Sequence, residues 1–233
     1  MYRRIVDLIL KFLAAAFLLV AATGCSKNDD IHYPLTTGTV ADIDGNVYST
    51  VIIGSQKWMV ENLKSRHYRN GDPVTRVTDP VIWQNLAAGG YCYYGNDTAN
   101  GKTYGLLYNW YSLNDPAHRL LAPSGWHIAG DEDWTALLNN LQRTNIPAYT
   151  LKAKTLWDSI AGNNNSGFAA LPGGMRFEDG SYGNLGSDGY WWSCPTTGLP
   201  TLCYRHMGYR DFKVDSLTNG HKNRGFSVRC VHD

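Results

Sequence analysis

The chain has 233 residues, with 21 Lys and Arg against 20 Asp and Glu, which gives a formal net charge of +1 at neutral pH. This balance excludes the strongly basic surface on which nucleic-acid-binding proteins depend, so no nucleic-acid partner is expected. Eight Trp, fifteen Tyr and a charged fraction of only 18% exclude a disordered chain and predict a folded domain.

The first 24 residues have the composition of a secretion signal. Arg3 and Arg4 precede an apolar stretch whose uninterrupted part, Phe12 to Ala22, has 11 residues. A permanent membrane-spanning helix needs roughly 20 such residues, so a simple transmembrane anchor is not expected. The stretch ends in Ala-Thr-Gly before Cys25, an arrangement that resembles a lipobox. We therefore predict that residues 1–24 are removed and that Cys25 becomes the lipid-bearing first residue.

An ordinary signal peptide that happens to end near a cysteine is the alternative. The segment Ser26 to Asp30 is polar and acidic, which suits a tether and resembles the surface-export signals of Bacteroidetes lipoproteins. We predict an outer-membrane protein that is anchored by lipid and exposed at the cell surface, with the periplasmic face as the alternative. Residues 25–37 then form a lipidated flexible linker, and residues 38–233 form the folded domain.

Four cysteines remain once Cys25 is assigned to lipid. They are Cys92, Cys194, Cys203 and Cys230. Their even number in an oxidising compartment predicts two disulfides, and three pairings are compatible with the sequence. None has the close C-x-x-C spacing of a zinc site or a thioredoxin-type site, and the sequence predicts neither a metal nor a cofactor.

The domain is predicted to begin as an antiparallel sheet. Two alternating runs flank Asp44-Gly45-Asn46, a turn sequence that is typical of hairpins. A second turn at Gly54 to Gln56 leads into the run that carries Trp58 and Met59.

Helices are predicted further along the chain. Pro80–Ala88 and Leu106–Leu113 each have the pattern of a short helix, and residues 150–162 have that of one or two further turns. The strongest helical pattern is Asp131 to Gln142, which has three acidic residues in its first turn. Its apolar residues fall at i, i+3, i+4 and i+7 on one face, namely Trp134, Leu137, Leu138 and Leu141.

Glycines recur every few residues after position 172 and interrupt short aromatic strands such as GYWWSC, which predicts long loops between short strands. The chain ends in RGFSVRCVHD, which alternates like a strand. Phe226, Val228 and Cys230 are predicted to share one face of this strand, and Arg229 and Val231 lie on the other.

Six segments, in this order along the chain, resemble the Fibrobacter succinogenes major paralogous domain family. They are DIDGNVYSTVIIGSQKWMVENLK, GGYCYYGND, YGLLYNWYSL, LAPSGWHIAGDEDWTALLNNL, SGFAALPGGMRFEDGSYGNLGSDGYWWS and RGFSVRCVHD. Together they cover about residues 39–233, and six ordered matches are far more specific than one motif. The family is common in lipoproteins of Bacteroidetes and Fibrobacter relatives. It is similar in fold to C-type lectin-like domains and to the formylglycine-generating enzyme domain.

The resemblance implies an α+β domain with a C-type lectin-like fold. Short antiparallel sheets, two main flanking helices and long glycine-rich loops are expected, and the N-terminal and C-terminal strands are expected to pair. The resemblance also implies nested disulfides, with an outer bond between Cys92 and Cys230 and an inner bond between Cys194 and Cys203.

Three functions are compatible with the resemblance. The first is a non-enzymatic binding or adhesion domain for a glycan, a matrix, or a fimbrial or other envelope protein. The second is a divergent copper-dependent oxidase that uses Cys194 and Cys203, although a structural disulfide is the simpler interpretation of that pair. The third is a purely structural envelope module. Because H-E-x-x-H, G-x-S-x-G and Walker motifs are absent from the sequence, we expect a binding domain rather than an enzyme.

Candidate ligand-binding residues lie in the glycine-rich region. They are Tyr182, Asp188, Tyr190, Trp191 and Trp192. Exposed rings can stack on sugars or on a partner protein, whereas buried rings belong to the core. Asp188 together with Glu178 and Asp179 offers carboxylates for calcium, with solvated loop acids as the simpler interpretation.

Three Asp-Ser/Thr-aliphatic triplets resemble the O-glycan acceptor sites of exported Bacteroidetes proteins. Their hydroxyl-bearing residues are Thr98, Ser159 and Ser216. Three-residue motifs arise easily by chance, so glycosylation at these positions is a hypothesis.

Overall fold

The computed structural model describes residues 37–141, 145–193 and 202–233. The predicted signal segment, Cys25 and Cys194 lie outside these ranges. Within them the chain forms thirteen strands, five α-helices and one 3₁₀ turn, which is an α+β fold as expected. No helix among the described residues has the length and apolarity needed to cross a bilayer.

The strands and helices are labelled in chain order. The strands are β1 Gly38–Ala41, β2 Val47–Ile53, β3 Gln56–Met59, β4 Thr75–Arg76, β5 Gly90–Cys92, β6 Leu107–Tyr108, β7 Trp126–Ile128, β8 Gly173–Arg176, β9 Tyr182–Leu185, β10 Asp188–Trp192, β11 Tyr204–Gly208, β12 Asp215–Leu217 and β13 Cys230–His232. The helices are α1 Pro80–Gln84, α2 Thr98–Tyr104, α3 Trp110–Leu113, α4 Asp131–Leu141 and α5 Pro147–Leu151. Three sheets result, with strand orders β1-β2-β3-β13-β7, β12-β11-β10-β8-β9 and β4-β5-β6.

The predicted N-terminal hairpin is confirmed, since β1 and β2 pair antiparallel and β2 continues into β3. Asp42 closes the first turn, because its carboxylate accepts the backbone N–H of Asp44 at 3.0 Å and of Asn46 at 2.9 Å. Gly45 has a φ of +79°, a left-handed conformation that glycine adopts without strain. The turn chemistry visible in the sequence is therefore the chemistry that forms the hairpin.

The last strand lies inside the first sheet. Val231 of β13 is paired with Trp58 of β3 on one side and with His127 of β7 on the other. The pairing of N-terminal and C-terminal strands that the family resemblance implied therefore runs through β3 rather than through β1.

Alternation along the strands divides the aromatic residues between two cores. In β10, Tyr190 and Trp192 belong to one cluster of buried residues, whereas Trp191 belongs to a second cluster. In β13, Cys230 belongs to the first cluster and Val231 to the second. Each five-stranded sheet therefore contributes alternate residues to both cores, as the two-residue period of a strand requires.

Helix α4 confirms the strongest helix prediction. Trp134, Leu137 and Leu141 are buried on its inner face. At its start, the carboxylate of Asp133 accepts the backbone N–H of Gly130 at 2.8 Å, which satisfies a donor that the helix itself leaves unpaired.

The weaker helix predictions were wrong in extent or in place. The first helix ends at Gln84 instead of Ala88, and in Leu106–Leu113 only the last four residues are helical because β6 pairs with β5. Residues 152–162 are not helical, because Ala153 donates its backbone N–H to Ala170 at 2.9 Å instead. Only α4, with 11 residues, exceeds two turns in the described part of the chain, so the expected two main helices reduce to one.

Arg229 is fully buried between the two cores, and its partners are backbone carbonyls and one side-chain amide. Its guanidinium donates to the carbonyls of Met59 at 2.9 Å, Val60 at 2.5 Å and Phe168 at 2.7 Å. It also donates twice to Oδ1 of Asn62, at 3.2 and 2.9 Å. Burial lowers the pKa of Arg229 to about 9, so the side chain stays charged at neutral pH.

Arg176 repeats this arrangement in another part of the fold. It is fully buried and donates to the carbonyls of Val77 at 2.6 Å, Thr78 at 3.1 Å and Gly180 at 3.0 Å. Its guanidinium carbon lies 4.4 Å from the ring centroid of Trp83, which is a cation–π contact.

Lys152 is the third buried cation of this kind. Its Nζ donates to the carbonyls of Gly208 at 2.5 Å and Asp211 at 2.8 Å, and it lies 4.7 Å from the ring centroid of Trp157. The turn between β11 and β12 is thereby fastened to the end of α5.

The prediction of an outer disulfide requires correction. Cys92, Cys203 and Cys230 are free buried thiols. Cys92 lies in β5 beside Trp83, whereas Cys230 lies in β13 within the first core, and strand pairing holds them in different sheets. The outer Cys92–Cys230 bond is therefore not formed. The inner bond requires Cys194, which is outside the described residues.

His127 joins three parts of the chain. Its Nε2 lies 3.1 Å from Oδ2 of Asp133 in α4, and its Nδ1 lies 2.8 Å from Oδ1 of the terminal residue Asp233. The hydrogen bond to Asp133, together with that to Asp233, raises the pKa of His127 to about 9 although burial opposes the shift. The protonated ring therefore connects β7 with the first turn of α4 and with the C-terminus.

We expect Arg229→Met to lower the free energy of unfolding by at least about 3 kcal/mol. Three carbonyls would lose this donor, whereas Oδ1 of Asn62 would keep the indole N–H of Trp191. Each buried acceptor left unpaired costs about 1–3 kcal/mol. Urea unfolding followed by tryptophan fluorescence measures the loss. Arg210→Met on the exposed surface is the matched control and should change stability by less than about 0.5 kcal/mol. A loss at Arg229 as small as that of the control would contradict the proposed role.

A second expectation concerns pH. The pKa of His127 is about 6.5 in an unfolded chain and about 9 in the folded protein, so its stabilising contribution is complete below pH 6.5 and disappears as the pH rises through 9. Wild type should lose stability over that interval by an amount that His127→Gln lacks. Urea unfolding on both sides of the interval measures the difference. His118→Asn, a replacement at an exposed residue with φ +55°, should behave as wild type. Parallel pH curves for wild type and H127Q would show that the ring carries no such linkage.

Candidate functional site

Two of the aromatic residues predicted to bind a ligand are core residues. Trp191 and Trp192 are both 0% exposed. The indole N–H of Trp191 donates to Oδ1 of Asn62 at 2.9 Å, and that of Trp192 donates to the carbonyl of Tyr108 at 2.8 Å. Their faces and polar atoms are engaged inside the protein, so neither ring is available for stacking on a sugar.

The two candidate tyrosines also have internal partners. Tyr190 is only 9% exposed and stacks on Phe226, and burial raises the pKa of its hydroxyl to about 12. Tyr182 is half-buried, and its hydroxyl donates to Oδ1 of Asn96 at 3.0 Å. Its ring lies 4.9 Å from the guanidinium carbon of Arg176. Both rings support the fold.

The three acids considered for calcium are not brought together. Glu178 is paired with Arg224 at 2.9 Å, and the carboxylate of Asp179 accepts the backbone N–H of Ser181 at 2.9 Å. Asp188 instead faces a histidine on the neighbouring strand β11. Turn formation and ion pairing therefore explain the first two acids.

The residues of the predicted O-glycan acceptor motifs are accessible. Thr98, Ser159 and Ser216 are exposed, and Thr98 begins helix α2 directly after its capping residue Asp97. Exposure is compatible with modification, and glycosylation remains a prediction.

An open cleft of about 470 Å³ lies between the end of α1, helix α3 and the loop before the last strand. We call it the loop cleft, and its lining residues are Gln84, Asn85, Leu86, Ala87, Tyr111, Leu202, His221, Lys222 and Asn223. Sequence analysis did not find this site, because its residues come from four separate segments that carry no shared motif.

The walls of the loop cleft are held by buried hydrogen bonds. The side chain of Asn223 donates to the carbonyls of Trp83 at 3.0 Å and Gln84 at 2.6 Å. In return, the indole N–H of Trp83 donates to the carbonyl of Asn223 at 2.5 Å. The backbone N–H of Trp110 donates to the carbonyl of Lys222 at 3.0 Å, which ties the same loop to α3. Side-chain and backbone donors on backbone carbonyls therefore fix the walls of the cleft.

The loop cleft is lined by an aromatic ring, several side-chain amides and one lysine. Tyr111 is half-buried, and Nζ of the exposed Lys222 lies 5.7 Å from its ring centroid. Nδ1 of His221 accepts the backbone N–H of Asn223 at 3.2 Å, so its Nε2 is the nitrogen left to donate outward. The lining described here contains no Asp or Glu. Such a surface suits a polar ligand with hydroxyl groups and a negative charge.

Comparison with known proteins identifies the family. The model of the Fibrobacter succinogenes major domain matches residues 51–232, from β2 to β13. No curated protein and no solved structure matches the chain. Since the match covers most of the sequence, the chain belongs to the Fibrobacter succinogenes major domain family.

Proposed function

We propose that this protein is a lipid-anchored binding module of the cell envelope, displayed at the outer surface, and that its loop cleft binds an acidic glycan. The observation that carries the proposal is the lining of the cleft: a tyrosine ring, several amides and a lysine, with no carboxylate among them. Aromatic rings stack on the apolar faces of sugars, and the exposed amides of Gln84 and Asn85 can bond their hydroxyl groups. The amide N–H groups of Asn223 already donate to the carbonyls of Trp83 and Gln84.

The acidic character of the ligand follows from Lys222. Its ammonium group is exposed at the cleft, 5.7 Å from the ring of Tyr111. A sugar carboxylate placed there would gain a charge-assisted hydrogen bond while its ring contacts Tyr111. A neutral sugar of the same size would lack that bond.

The two thiols outside the Cys194 and Cys203 pair offer no support for an oxidase-like reaction. Burial raises the pKa of Cys92 to about 11 and that of Cys230 to about 12, so both remain protonated at neutral pH. The thiolate, not the thiol, is the nucleophile and the metal ligand. Cys203 is also buried, at 5% exposed.

We further propose that the fold is C-type lectin-like. The last strand lies in the same sheet as the first three strands, α4 packs on the second core, and the loop cleft is formed by irregular segments. The anchoring part of the proposal rests on Arg3, Arg4, the short apolar run and the small residues before Cys25.

Glycan binding is tested with the full chain in detergent. We expect oligogalacturonate to bind and maltooligosaccharides of equal length to bind at least about 10-fold more weakly, because only the acidic sugar pairs with Lys222. Isothermal titration calorimetry measures both. Lys222→Ala should weaken binding of the acidic sugar about 10-fold, whereas Lys154→Ala, an exposed lysine elsewhere, should not.

A matched pair of variants tests how much the ring of Tyr111 contributes to glycan binding. Tyr111→Ala removes the ring and should weaken binding, whereas Tyr111→Phe keeps the ring and should retain most of it. Equal affinity for acidic and neutral oligosaccharides would reject the charge argument. If Y111A and K222A bound as wild type, the loop cleft would not be the site.

Lipid anchoring predicts that the loss of Cys25 changes how the protein partitions between detergent and water. Cys25→Ser removes the acyl acceptor, so the variant should move from the detergent phase to the aqueous phase in Triton X-114 partitioning of envelope extracts. Wild-type protein should remain in the detergent phase and should be cleaved by protease added to intact cells. A Cys25→Ser protein that still follows the detergent phase would contradict lipid anchoring, and protection from protease would return the protein to the periplasmic face.

A further inference from the structure

Four side chains that do not line the loop cleft converge at one end of the second sheet. We call them the Asp–His cluster: Asp188, His206, Asp211 and Asp215. One ligand atom from each of His206, Asp211 and Asp215 lies within 4.8 Å of the others. Nδ1 of His206 is 3.2 Å from Oδ2 of Asp215, and its Nε2 is 2.7 Å from Oδ1 of Asp188.

Strand register produces this convergence. β10 and β11 pair with Tyr190 opposite His206, and β11 and β12 pair with His206 opposite Asp215. Asp188 is two residues before Tyr190, so it lies on the same face of the sheet. His206 therefore has a carboxylate on each side, and the tyrosine ring, 4.9 Å away between centroids, forms a wall.

Gly208 makes room for two of these carboxylates. A Cβ at this position would stand 2.6 Å from Oδ2 of Asp211 and 3.3 Å from Oδ1 of Asp188. A larger residue would therefore collide with the carboxylate of Asp211 and crowd that of Asp188, so glycine leaves the space that both carboxylates occupy. The backbone N–H of Gly208 also donates to Oδ2 of Asp211 at 2.8 Å, which fixes that carboxylate in place.

Hydrogen bonds from the buried Lys152 hold the turn that carries Asp211. Lys152 is fully buried and binds the carbonyls of Gly208 and Asp211. Its ammonium group hydrogen-bonds backbone carbonyls of the turn and also interacts electrostatically with Asp211 and Asp188. Two further basic residues belong to this segment, Arg210 within the turn and Lys213 after it. Three carboxylates thus face one another and His206 on the solvent side of the turn.

We propose that the Asp–His cluster is a binding site for a divalent transition-metal ion, with His206, Asp211 and Asp215 as ligands. A mixed set of one imidazole nitrogen and carboxylate oxygens suits zinc or manganese. Calcium prefers a shell made only of oxygen ligands, so the imidazole disfavours it.

Asp188 acts as a positioning residue at this site. Its Oδ1 holds Nε2 of His206, which aims Nδ1 at Asp215 and at the space beside Asp211. Its Oδ2 is in turn held by the hydroxyl of Ser187. A carboxylate that orients a ligating histidine through its second nitrogen is the common outer-shell arrangement of protein metal sites.

Metal binding would fasten an edge of the second sheet. β12 is paired only with β11 in the described residues, and its Asp215 side chain is 52% exposed. An ion shared by β11, β12 and the turn between them would couple these segments, and because it binds only the folded chain it would stabilise that chain by mass action.

The test is calorimetric titration of the chelator-treated full chain in detergent with Zn²⁺, Mn²⁺ and Ca²⁺, combined with thermal unfolding. We expect saturable binding of one Zn²⁺ or Mn²⁺ at this cluster and a higher melting temperature with the metal than without it. His206→Gln should reduce the affinity at least about 100-fold. Asp188→Asn, which removes only the orienting charge, should reduce it about 10–100-fold.

Two further variants keep the result interpretable. Asp215→Asn alters an exposed ligand and should weaken binding without unfolding the protein, so it decides the question if H206Q fails to fold. Asp79→Asn is the matched control, since it removes one carboxylate elsewhere while an asparagine still caps α1. Absence of saturable binding, or equal affinity in wild type, H206Q and D215N, would overturn the proposal. Tighter binding of Ca²⁺ than of Zn²⁺ and Mn²⁺ would overturn the assigned class of ion.

Discussion

Buried cations bonded to backbone carbonyls are the interaction on which the rest of this structure depends. The fold joins short strands by long irregular segments, and such segments leave carbonyls that no ladder or helix pairs. A buried carbonyl without a donor costs free energy, so each must find a partner. Arg229, Arg176 and Lys152 supply that partner, and each lies beside an aromatic ring that contributes a cation–π contact.

The Arg229 group also connects the two cores. Asn62 accepts two hydrogen bonds from Arg229 and one from the indole of Trp191, and its own amide donates to the carbonyl of Tyr104 at 2.8 Å. A single amide therefore links β10, α2 and the segment before β13. Because every member of this network is satisfied, it specifies one arrangement of the sheets more sharply than apolar packing alone would.

Each candidate site is attached to one of these cations. Arg176 packs on Trp83, and Trp83 exchanges hydrogen bonds with Asn223, which forms a wall of the loop cleft. Lys152 holds the turn that carries Asp211 of the Asp–His cluster. The loop cleft and the turn that carries Asp211 thus have backbones that are fixed from inside. Such preorganisation reduces the entropic cost of binding a ligand.

Local signals predicted the local structure. The Asp-Gly-Asn turn and the i, i+3, i+4, i+7 pattern of α4 depend on near neighbours, so the sequence alone was sufficient for both. The same reasoning failed for Leu106–Leu113, where β6 pairs with β5 instead of continuing a helix. Tyr108 lies opposite Tyr91 in this pairing, 17 positions away in the chain. It also failed for residues 152–162, where Ala170 replaced the helical partner.

The sites escaped prediction for the same physical reason. Asp188, His206 and Asp215 become neighbours only through the register of three strands, and Tyr111 meets Lys222 only when α3 packs on the final loop. Trp191 and Trp192 looked like binding residues because they lie among glycines. The sequence does not reveal that both faces of β10 are covered by a core.

Buried cations bonded to backbone carbonyls stabilise a fold differently from the disulfides that the cysteine count suggested. A disulfide constrains the unfolded chain mainly, whereas a buried guanidinium acts only once the carbonyls have assembled around it. The partners of Arg229 and Arg176 are mostly main-chain atoms, which every residue type provides. Side chains on the loops can therefore change without removing these hydrogen bonds, provided that the path of the backbone is kept. The side-chain chemistry of the loops and the stability of the fold are thereby separated, because loop side chains can change while the backbone carbonyls that accept from Arg229 and Arg176 stay in place.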